Sequence, residues 1–280
     1  MTAALLITLR EGLEAALIIG IVLSVLRRIG RSNRSRSVWG GVLAAVVVSI
    51  GAAVGLNALG VAFSGRGEEI FEGAAMLLAA VVLTWMILWM QRQARSIRAE
   101  LEREVRRAVR SETGWALFLL AFVAVVREGI ETVLFLTAAA FSAAPAQTLV
   151  GAVLGLVIAV VLGWLVFAVG KNLNLRTFFR VTGVLLLFFA AGLVAHGVHE
   201  FQEAGVLPVV VEHVWDINHV LDENAPLGSF LKALFGYNGN PSLLEVVSYL
   251  LYLAVVGVIV LRGFQTLPRN TVEAAEAARP

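Results

Sequence analysis

Two short motifs of charged residues interrupt otherwise apolar stretches of the sequence. Arg-Glu-Gly-Leu-Glu at residues 10–14 recurs as Arg-Glu-Gly-Ile-Glu at residues 127–131. On a helix, successive residues are about 100° apart, so the arginine and both glutamates of each copy share one arc. Carboxylates gathered in this way can coordinate a hard metal ion, and a neighbouring arginine can hold them in position.

The composition indicates which elements position these charges. The 280 residues are 59% hydrophobic, and the mean hydropathy is +0.86, so the chain has more apolar surface than a soluble domain could bury. Lipid is then the solvent, and each backbone polar group must be paired within a helix. The chain has no cysteine, which excludes disulfides, thiolate ligands, iron–sulfur clusters and cysteine nucleophiles. Any metal site must therefore use oxygen or imidazole ligands.

The apolar stretches predict an all-α polytopic membrane protein. Seven transmembrane helices are predicted, at residues 3–26, 38–63, 70–90, 115–141, 147–169, 178–201 and 243–261. A simple hydropathy window would yield five or six spans, because the motif charges interrupt the first and the fourth. We count both as spans because their charges recur at helical spacing.

Basic residues predict the orientation. They concentrate in alternate connections: Arg27, Arg28, Arg31, Arg34 and Arg36 after span one; Arg92, Arg95, Arg98, Arg103, Arg106, Arg107 and Arg110 after span three; Lys171, Arg176 and Arg180 after span five; and Arg262 and Arg269 after span seven. In the second of these, Glu100, Glu102 and Glu104 are interleaved at helical ion-pair spacing. The positive-inside rule places all four segments in the cytoplasm, with the amino terminus outside and the carboxyl terminus inside.

The recurring motif predicts an inverted repeat. Because three spans separate the two copies, their helices run in opposite directions, as in transporters whose substrate site lies between two inverted halves. We expect a single permease domain: repeat one at 1–112, repeat two at 113–205, an outer loop at 206–242, a seventh helix at 243–262 and a short cytoplasmic tail at 263–280.

The six motif charges are too many to face lipid. A charge at mid-bilayer costs a few kcal/mol or more, so both arcs should face each other or a wet cavity. One alternative is that arginine and glutamate merely neutralise each other as interhelical pins. Four carboxylates against two arginines leave about −2, however, which favours a site completed by a hard cation: ferric iron, manganese, magnesium or calcium. Gly12 and Gly129 are expected to permit close helix approach.

A second set of candidate ligands lies at the outer helix ends. Glu68, Glu69 and Glu72 open span three, and His196, His199, Glu200 and Glu203 share one face at the end of span six. The outer loop adds Glu212, His213, Asp216, His219, Asp222 and Glu223. Imidazole beside carboxylate is typical of transition-metal sites, so a cation-capture site is expected here. The alternative is a polar helix end wetted by solvent.

Several segments together resemble the oxidase-dependent iron transporter family, which includes the fungal high-affinity iron permeases and the bacterial EfeU type. They are the doubled motif, Glu-Ile-Phe-Glu-Gly at 69–73, His-Gly-Val-His-Glu-Phe-Gln-Glu-Ala-Gly at 196–205 and the stretch 231–252. The resemblance implies iron uptake across the cytoplasmic membrane. It also implies that Glu11, Glu14, Glu128 and Glu131 line the transport path, that Arg10 and Arg127 organise them, and that an extracytoplasmic oxidase or iron-delivery protein supplies ferric ion.

These observations predict a transporter, not an enzyme, with iron as its substrate, no permanently bound cofactor and no nucleic-acid partner. No phosphate-binding Gly-x-x-x-x-Gly-Lys-Ser/Thr motif is present, so the membrane potential or protons would drive transport. One rival is a carrier of manganese, lead or ferrous ion. A membrane metalloenzyme and a receptor or scaffold are the others. The sequence leaves open the iron valence, the coupling ion, the oligomeric state and the choice between carrier and channel.

Overall fold

The computed structural model is all-helical within the residues it describes, which are 1–93, 97–110, 114–141, 145–168, 175–223 and 225–265. Its α-helices are α1 (Thr2–Arg28), α2 (Ser35–Ala62), α3 (Arg66–Gln93), α4 (Ile97–Arg110), α5 (Trp115–Phe141), α6 (Pro145–Ala168), α7 (Leu175–Glu203), α8 (Pro226–Phe235) and α9 (Leu243–Gln265), with a 3-10 turn at Ser32–Arg34. The basic residues Arg95, Lys171 and Arg269 and the tail beyond residue 265 lie outside the described residues.

Five of the described helices are long and apolar enough to cross a membrane. The matching segments are Ser32–Gly60, Arg66–Met90, Ala146–Val166, Thr177–Glu203 and Leu243–Arg262. The two motif helices α1 and α5, each of 27 residues, are not among them, because every 18-residue stretch of either helix contains at least three charged residues. The seven-span count and the orientation of the termini therefore stay predictions.

The helices pair across the two halves of the sequence. The most extensive contacts join α1 to α6 and α2 to α5, followed by α3 to α7. Exchanging α1 with α5, α2 with α6 and α3 with α7 gives the same three pairs again. Each motif helix thus packs mainly against a helix of the other predicted repeat.

Two apolar clusters lie on either side of the motif charges. One joins Ile7 of α1 and Phe135 of α5 to residues of α3, α7, α8 and α9. The other joins Val22 of α1 and Val125 of α5 to residues of α2 and α4. The motif residues fall between the two clusters along both helices, so they lie in a polar layer with packed apolar side chains above and below.

The segment predicted as an outer loop contains the short helix α8. Pro226 is in its first turn, where a missing N–H is harmless, and Gly236 ends it in the left-handed conformation at φ 68°. Ala233 and Leu234 are buried, and the Phe235 ring packs edge-on against Phe188 with centroids 5.6 Å apart. The carboxyl end of α8 thus lies beside the middle of α7.

Candidate metal site between the two motif helices

The motif side chains of α1 and α5 form one cluster. Carboxylate oxygens of Glu11, Glu128 and Glu131 all lie within 4.8 Å of one another, and all three residues are buried. Among the described residues, these three form the group of acidic side chains close enough to share one ion. The structure therefore brings the two motifs together, as the sequence predicted.

Each of these three glutamates leaves one oxygen without a hydrogen-bond donor. Glu11 Oε2, Glu128 Oε2 and Glu131 Oε2 are buried and have no partner among the described residues. The other oxygen of Glu11 accepts a hydrogen bond from Arg10 Nη1 at 2.9 Å, and Glu131 Oε1 accepts one from Arg127 Nε, also at 2.9 Å. Buried polar atoms are nearly always paired, so three neighbouring buried carboxylates that each keep an unpartnered oxygen make a site that suits a cation.

Glu14 is separated from the other three glutamates. Its Oε1 atom lies 3.0 Å from Arg10 Nη2, an ion pair that is not aligned as a hydrogen bond. It still interacts electrostatically with Glu131 and Arg127 of the second motif. The sequence treats the four glutamates as equivalent, whereas the structure divides them into a group of three and a neighbour held by arginine.

Residues of α3 contact both motif arginines. Met86 Sδ lies 2.7 Å from Arg10 Nη1, and the Arg127 guanidinium carbon lies 4.6 Å from the ring centroid of Trp89 and 5.6 Å from that of Trp85. Sequence analysis missed these three residues. In an apolar span, methionine and tryptophan carry no signal that separates a site residue from an ordinary packing residue.

Small residues let the motif helices approach their partners closely, as expected. A Cβ atom at Gly12 would lie 2.9 Å from the Cβ of Ala159 in α6. A Cβ at Gly129 would overlap the Ser49 hydroxyl of α2. In both places an added Cβ would lie closer to its neighbour than ordinary van der Waals contact allows, so glycine is needed at these two positions.

Carboxylates of α3 and α7 meet at the opposite end of α3 from the tryptophans. Glu72 interacts electrostatically with Glu68 and Glu203, and Glu200 interacts with Glu72, Glu203 and Glu69. We call these five residues the outer acidic cluster. Glu68 and Glu203 are exposed and the other three are partly buried, so the cluster is open to solvent.

The two predicted histidines of α7 have different partners. His196 Nδ1 donates to the Gly192 carbonyl oxygen at 2.9 Å, and its electrostatic neighbours are Lys232, Glu245 and His199. His199 lies at the edge of the outer acidic cluster, with Nδ1 3.1 Å from Glu245 Oε1 and Nε2 3.3 Å from Glu203 Oε1. His199 therefore joins the cluster to α9, and His196 does not belong to it.

The acidic and imidazole residues of the loop after α7 make other contacts. His213 Nδ1 bonds the Asn240 carbonyl oxygen at 3.0 Å, and Glu223 pairs with Lys232 at 3.2 Å. Glu212, Asp216, His219 and Asp222 are exposed on the same segment. The described contacts of His213 and Glu223 are local, within the loop and α8.

Glu245, at the start of α9, is a buried acid that sequence analysis missed. It accepts hydrogen bonds from the Ser242 backbone N–H at 3.0 Å and from Asn238 Nδ2 at 2.8 Å, beside its contact with His199. The Glu245 N–H donates in turn to Ser242 Oγ at 3.3 Å. This reciprocal pairing is a capping box, and the Ser-x-x-Glu spacing before an apolar run is a sequence signal that could have identified it.

A cleft of about 420 Å³ lies between α2, α3, α5 and α6. Glu68 and Glu72 of the outer acidic cluster line it, together with Asn57, Thr137 and Thr148. Val133, two residues after Glu131 on α5, also lines it. The cleft therefore joins two of the outer carboxylates to the part of α5 that follows Glu131, and none of the charged motif residues is among its lining residues.

Apolar membrane-length helices around a buried carboxylate cluster define a multi-pass α-helical membrane protein. The chain matches the model of the Iron permease FTR1 family over residues 1–267. It therefore belongs to the FTR1 iron permease family, whose members are transporters.

Curated relatives agree with this assignment. The chain is 38% identical to "Ferrous iron permease EfeU" of Shigella sonnei (strain Ss046) over 99% of this chain and 100% of the relative. It is 40% identical to the protein of the same name in Escherichia coli O6:K15:H31 (strain 536 / UPEC), over 90% of this chain and 92% of the relative. The Yersinia pestis protein is 37% identical, over 99% and 98%. No solved structure matches the chain.

Proposed function

We propose that this protein is a high-affinity iron permease in which Glu11, Glu128 and Glu131 bind the ion in transit. Three bare, buried and converging carboxylate oxygens are the observation that supports this proposal. Arg10 and Arg127 orient the carboxylates, and Glu14 is the next carboxylate along the path. Iron is the substrate, and no resident cofactor takes part.

The charge of the site favours ferrous over ferric ion. With all six motif side chains ionised, four carboxylates and two guanidinium groups sum to −2, which a divalent ion neutralises. A trivalent ion would leave one uncompensated positive charge in a buried layer, which is costly. The relatives' printed names also say ferrous. The ferric ion expected from the sequence resemblance remains a prediction and is the alternative outcome of the test.

The proposed route begins at the outer acidic cluster and runs along the cleft to the motif site. Exposed carboxylates raise the local cation concentration, and Asn57 and Thr137 supply oxygen ligands on the way. Release to the cytoplasm would follow a rearrangement of the two repeats. The exchange symmetry of the helix contacts supports this, because rocking one repeat against the other alternates access in related architectures.

We place the protein in the cytoplasmic membrane, with a potential negative inside as the driving force. Each unit of charge carried inward gains about 2.3 kcal/mol per 100 mV, so a divalent ion gains about 4.6 kcal/mol per 100 mV without a nucleotide. An extracytoplasmic iron-delivery protein stays part of the proposal as the supplier of iron, and an extracytoplasmic oxidase belongs to the ferric alternative.

Radioactive iron uptake into cells expressing the chain at matched membrane abundance tests the proposal. Glu11→Gln, Glu128→Gln and Glu131→Gln should each abolish saturable uptake, because an amide supplies a neutral ligand in place of a charged one. Glu104→Gln, on an exposed face of α4, is the matched control and should transport normally. Uptake retained by the three motif variants would contradict the proposal and would mean that these glutamates have a structural role instead.

Oxidation state and competition separate iron from the divalent-metal alternative. Uptake is measured with ferrous ion under ascorbate and with ferric citrate, each against excess manganese or lead. Preference for ferrous ion with weak competition supports a ferrous permease. Uptake that requires ferric ion would reverse the valence proposal, and equal inhibition by manganese would indicate a general divalent-metal carrier.

A further inference from the structure

Exposed arginines gather at the end of the molecule where α1 ends, α2 begins and α4 lies. Leu26 of α1 and Val38 of α2 are buried in one apolar cluster with Leu101 and Val105 of α4. The arginines that flank these four residues therefore lie at the same end of the molecule. Six of them are exposed, and we call them the basic surface: Arg27, Arg28, Arg31, Arg36, Arg106 and Arg107.

The segments that form the basic surface carry a large excess of positive charge. Residues 27–38 and 97–110 contain ten arginines and three glutamates. The outer acidic cluster lies at the other end of α3, so the two kinds of charge are separated along the molecule. An exposed surface of one sign attracts partners of the opposite sign. The basic surface therefore fits an anionic partner.

Two exposed tryptophans indicate the level of the basic surface in the membrane. Trp39, near the start of α2, is 56% exposed, and Trp115, the first residue of α5, is 61% exposed. Their helices meet nearby, because a Cβ atom at Gly114 would overlap the Ser37 hydroxyl. One membrane-length segment begins in the turn before α2, and another ends shortly before α4. Since tryptophan is enriched where spans meet the headgroups, the basic surface lies at headgroup level.

We propose that anionic phospholipid headgroups bind the basic surface and hold α4 against the two motif helices. Lipid is the partner present at this level, and a headgroup phosphate matches the donors of a guanidinium group in charge and geometry. The apolar face of α4 is buried in one cluster with Val22 of α1 and Leu117 of α5, whereas Arg106 and Arg107 are exposed. A headgroup bound to these arginines therefore secures a helix that joins α1 to α5. This inference goes beyond the proposed function and is independent of the ion carried.

The first test measures the stability of the full chain in two kinds of nanodisc, without iron. One contains phosphatidylcholine alone, and the other contains equal amounts of phosphatidylcholine and phosphatidylglycerol. The melting temperature should be about 5 °C higher in the mixed discs. The difference should shrink at high salt, because salt screens exposed charges. Inorganic phosphate added to the phosphatidylcholine discs should not reproduce it, because only a lipid headgroup is kept at the surface by its acyl chains.

The second test measures lipid selectivity by native mass spectrometry of protein released from the mixed discs. The unmodified protein should retain phosphatidylglycerol over phosphatidylcholine by about tenfold. Arg106→Gln and Arg107→Gln together should reduce this preference about threefold or more, whereas Arg106→Lys and Arg107→Lys should keep most of it because the charge remains. Arg66→Gln is the matched control for each single variant, because Arg66 is exposed at the opposite end of α3.

Each outcome decides the inference. Equal melting temperatures in the two kinds of nanodisc would overturn it, and so would an equal loss of selectivity in Arg66→Gln and Arg106→Gln. Stabilisation by inorganic phosphate would also overturn it, since the surface would then bind a free anion. If the double variant does not fold, the single variants and the unmodified protein still decide. Iron is absent from both tests, so failure of the proposed function would leave these results unchanged.

Discussion

The motif site and the outer acidic cluster use the same side chain for different purposes. At the motif site, glutamates are buried between two apolar clusters, and each member of the group of three has one oxygen without a donor. In the outer acidic cluster, Glu68 and Glu203 are exposed and the other three residues are partly buried, so water reaches the cluster when no ion is present. A cation stabilises a buried carboxylate oxygen that has no hydrogen-bond donor far more than one that water already solvates.

This difference predicts that the motif site sets the affinity for the ion and that the outer acidic cluster sets the rate at which the ion arrives. Substitutions in the buried layer should change whether the ion is held at all, and substitutions on the outer face should change how quickly it arrives. Each of the following predictions tests one side of that contrast.

The largest effect is expected from Glu128→Gln. Losing one of three charged ligands in a buried site should weaken iron binding by about 100-fold or more. Isothermal titration or radioactive-iron binding to purified protein measures this. Glu72→Gln provides the comparison, and an equal loss there would abolish the distinction between the two regions.

The next prediction concerns stability and separates the two arginines. Arg10→Gln leaves Glu11 and Glu14 without their cation in a buried layer and should lower the free energy of unfolding by about 3–5 kcal/mol. Arg127→Gln, at a partly exposed position, should lower it by about 1 kcal/mol. Thermal melting of detergent-solubilised protein, followed by size-exclusion chromatography, compares them. Equal melting temperatures would contradict the contrast between the buried Arg10 and the partly exposed Arg127.

A smaller effect is expected at the helix contact behind the site. Gly129→Ala should destabilise the protein by about 1–3 kcal/mol, because the new methyl group overlaps Ser49 of α2. Ser49→Gly should rescue it in the double variant. Gly55→Ala, where an added Cβ meets open space, is the matched control for the same chemical change.

The smallest effect is expected in the outer acidic cluster. Glu72→Gln should raise the KM of uptake about twofold to fivefold with no change in maximal rate, since a carboxylate in this solvent-open cluster acts mainly by attracting the ion. The difference from the unmodified protein should shrink as ionic strength rises from 0.01 M to 0.15 M, because salt screens exposed charges. A change in maximal rate would place Glu72 inside the path instead.

The part of the site that was predictable from the sequence is the part that carries charge. Six ionisable residues inside apolar stretches cannot face lipid without a large cost in free energy. Their convergence was therefore predictable. The division between Glu14 and the other glutamates was not predictable, because it depends on how α1 and α5 are rotated and placed against each other. The contacts of Met86, Trp85 and Trp89 depend on the rotation of α3 about its axis, which its uniformly apolar sequence leaves open.

The fold shows a similar limit. The charged residues after span three show helical ion-pair spacing in the sequence, and the structure contains the helix α4 there, at Ile97–Arg110. The helix α8 was overlooked within a long polar loop, although Pro226 and Gly236 are typical boundary residues. Shared spacing on α7 also grouped His196 with the outer acids, whereas its Nδ1 bonds a carbonyl oxygen of its own helix.

The pairing of α1 with α6 and of α2 with α5 has a consequence for biosynthesis. Glu11 emerges from the ribosome about 120 residues before Glu131, which at about 5–20 residues per second is a wait of roughly 6 to 24 s. During that time α1 has neither its main packing partner nor the other half of its ion site. The nascent chain must therefore shelter three motif charges against early-made helices, lipid headgroups or the insertion machinery until the second repeat arrives.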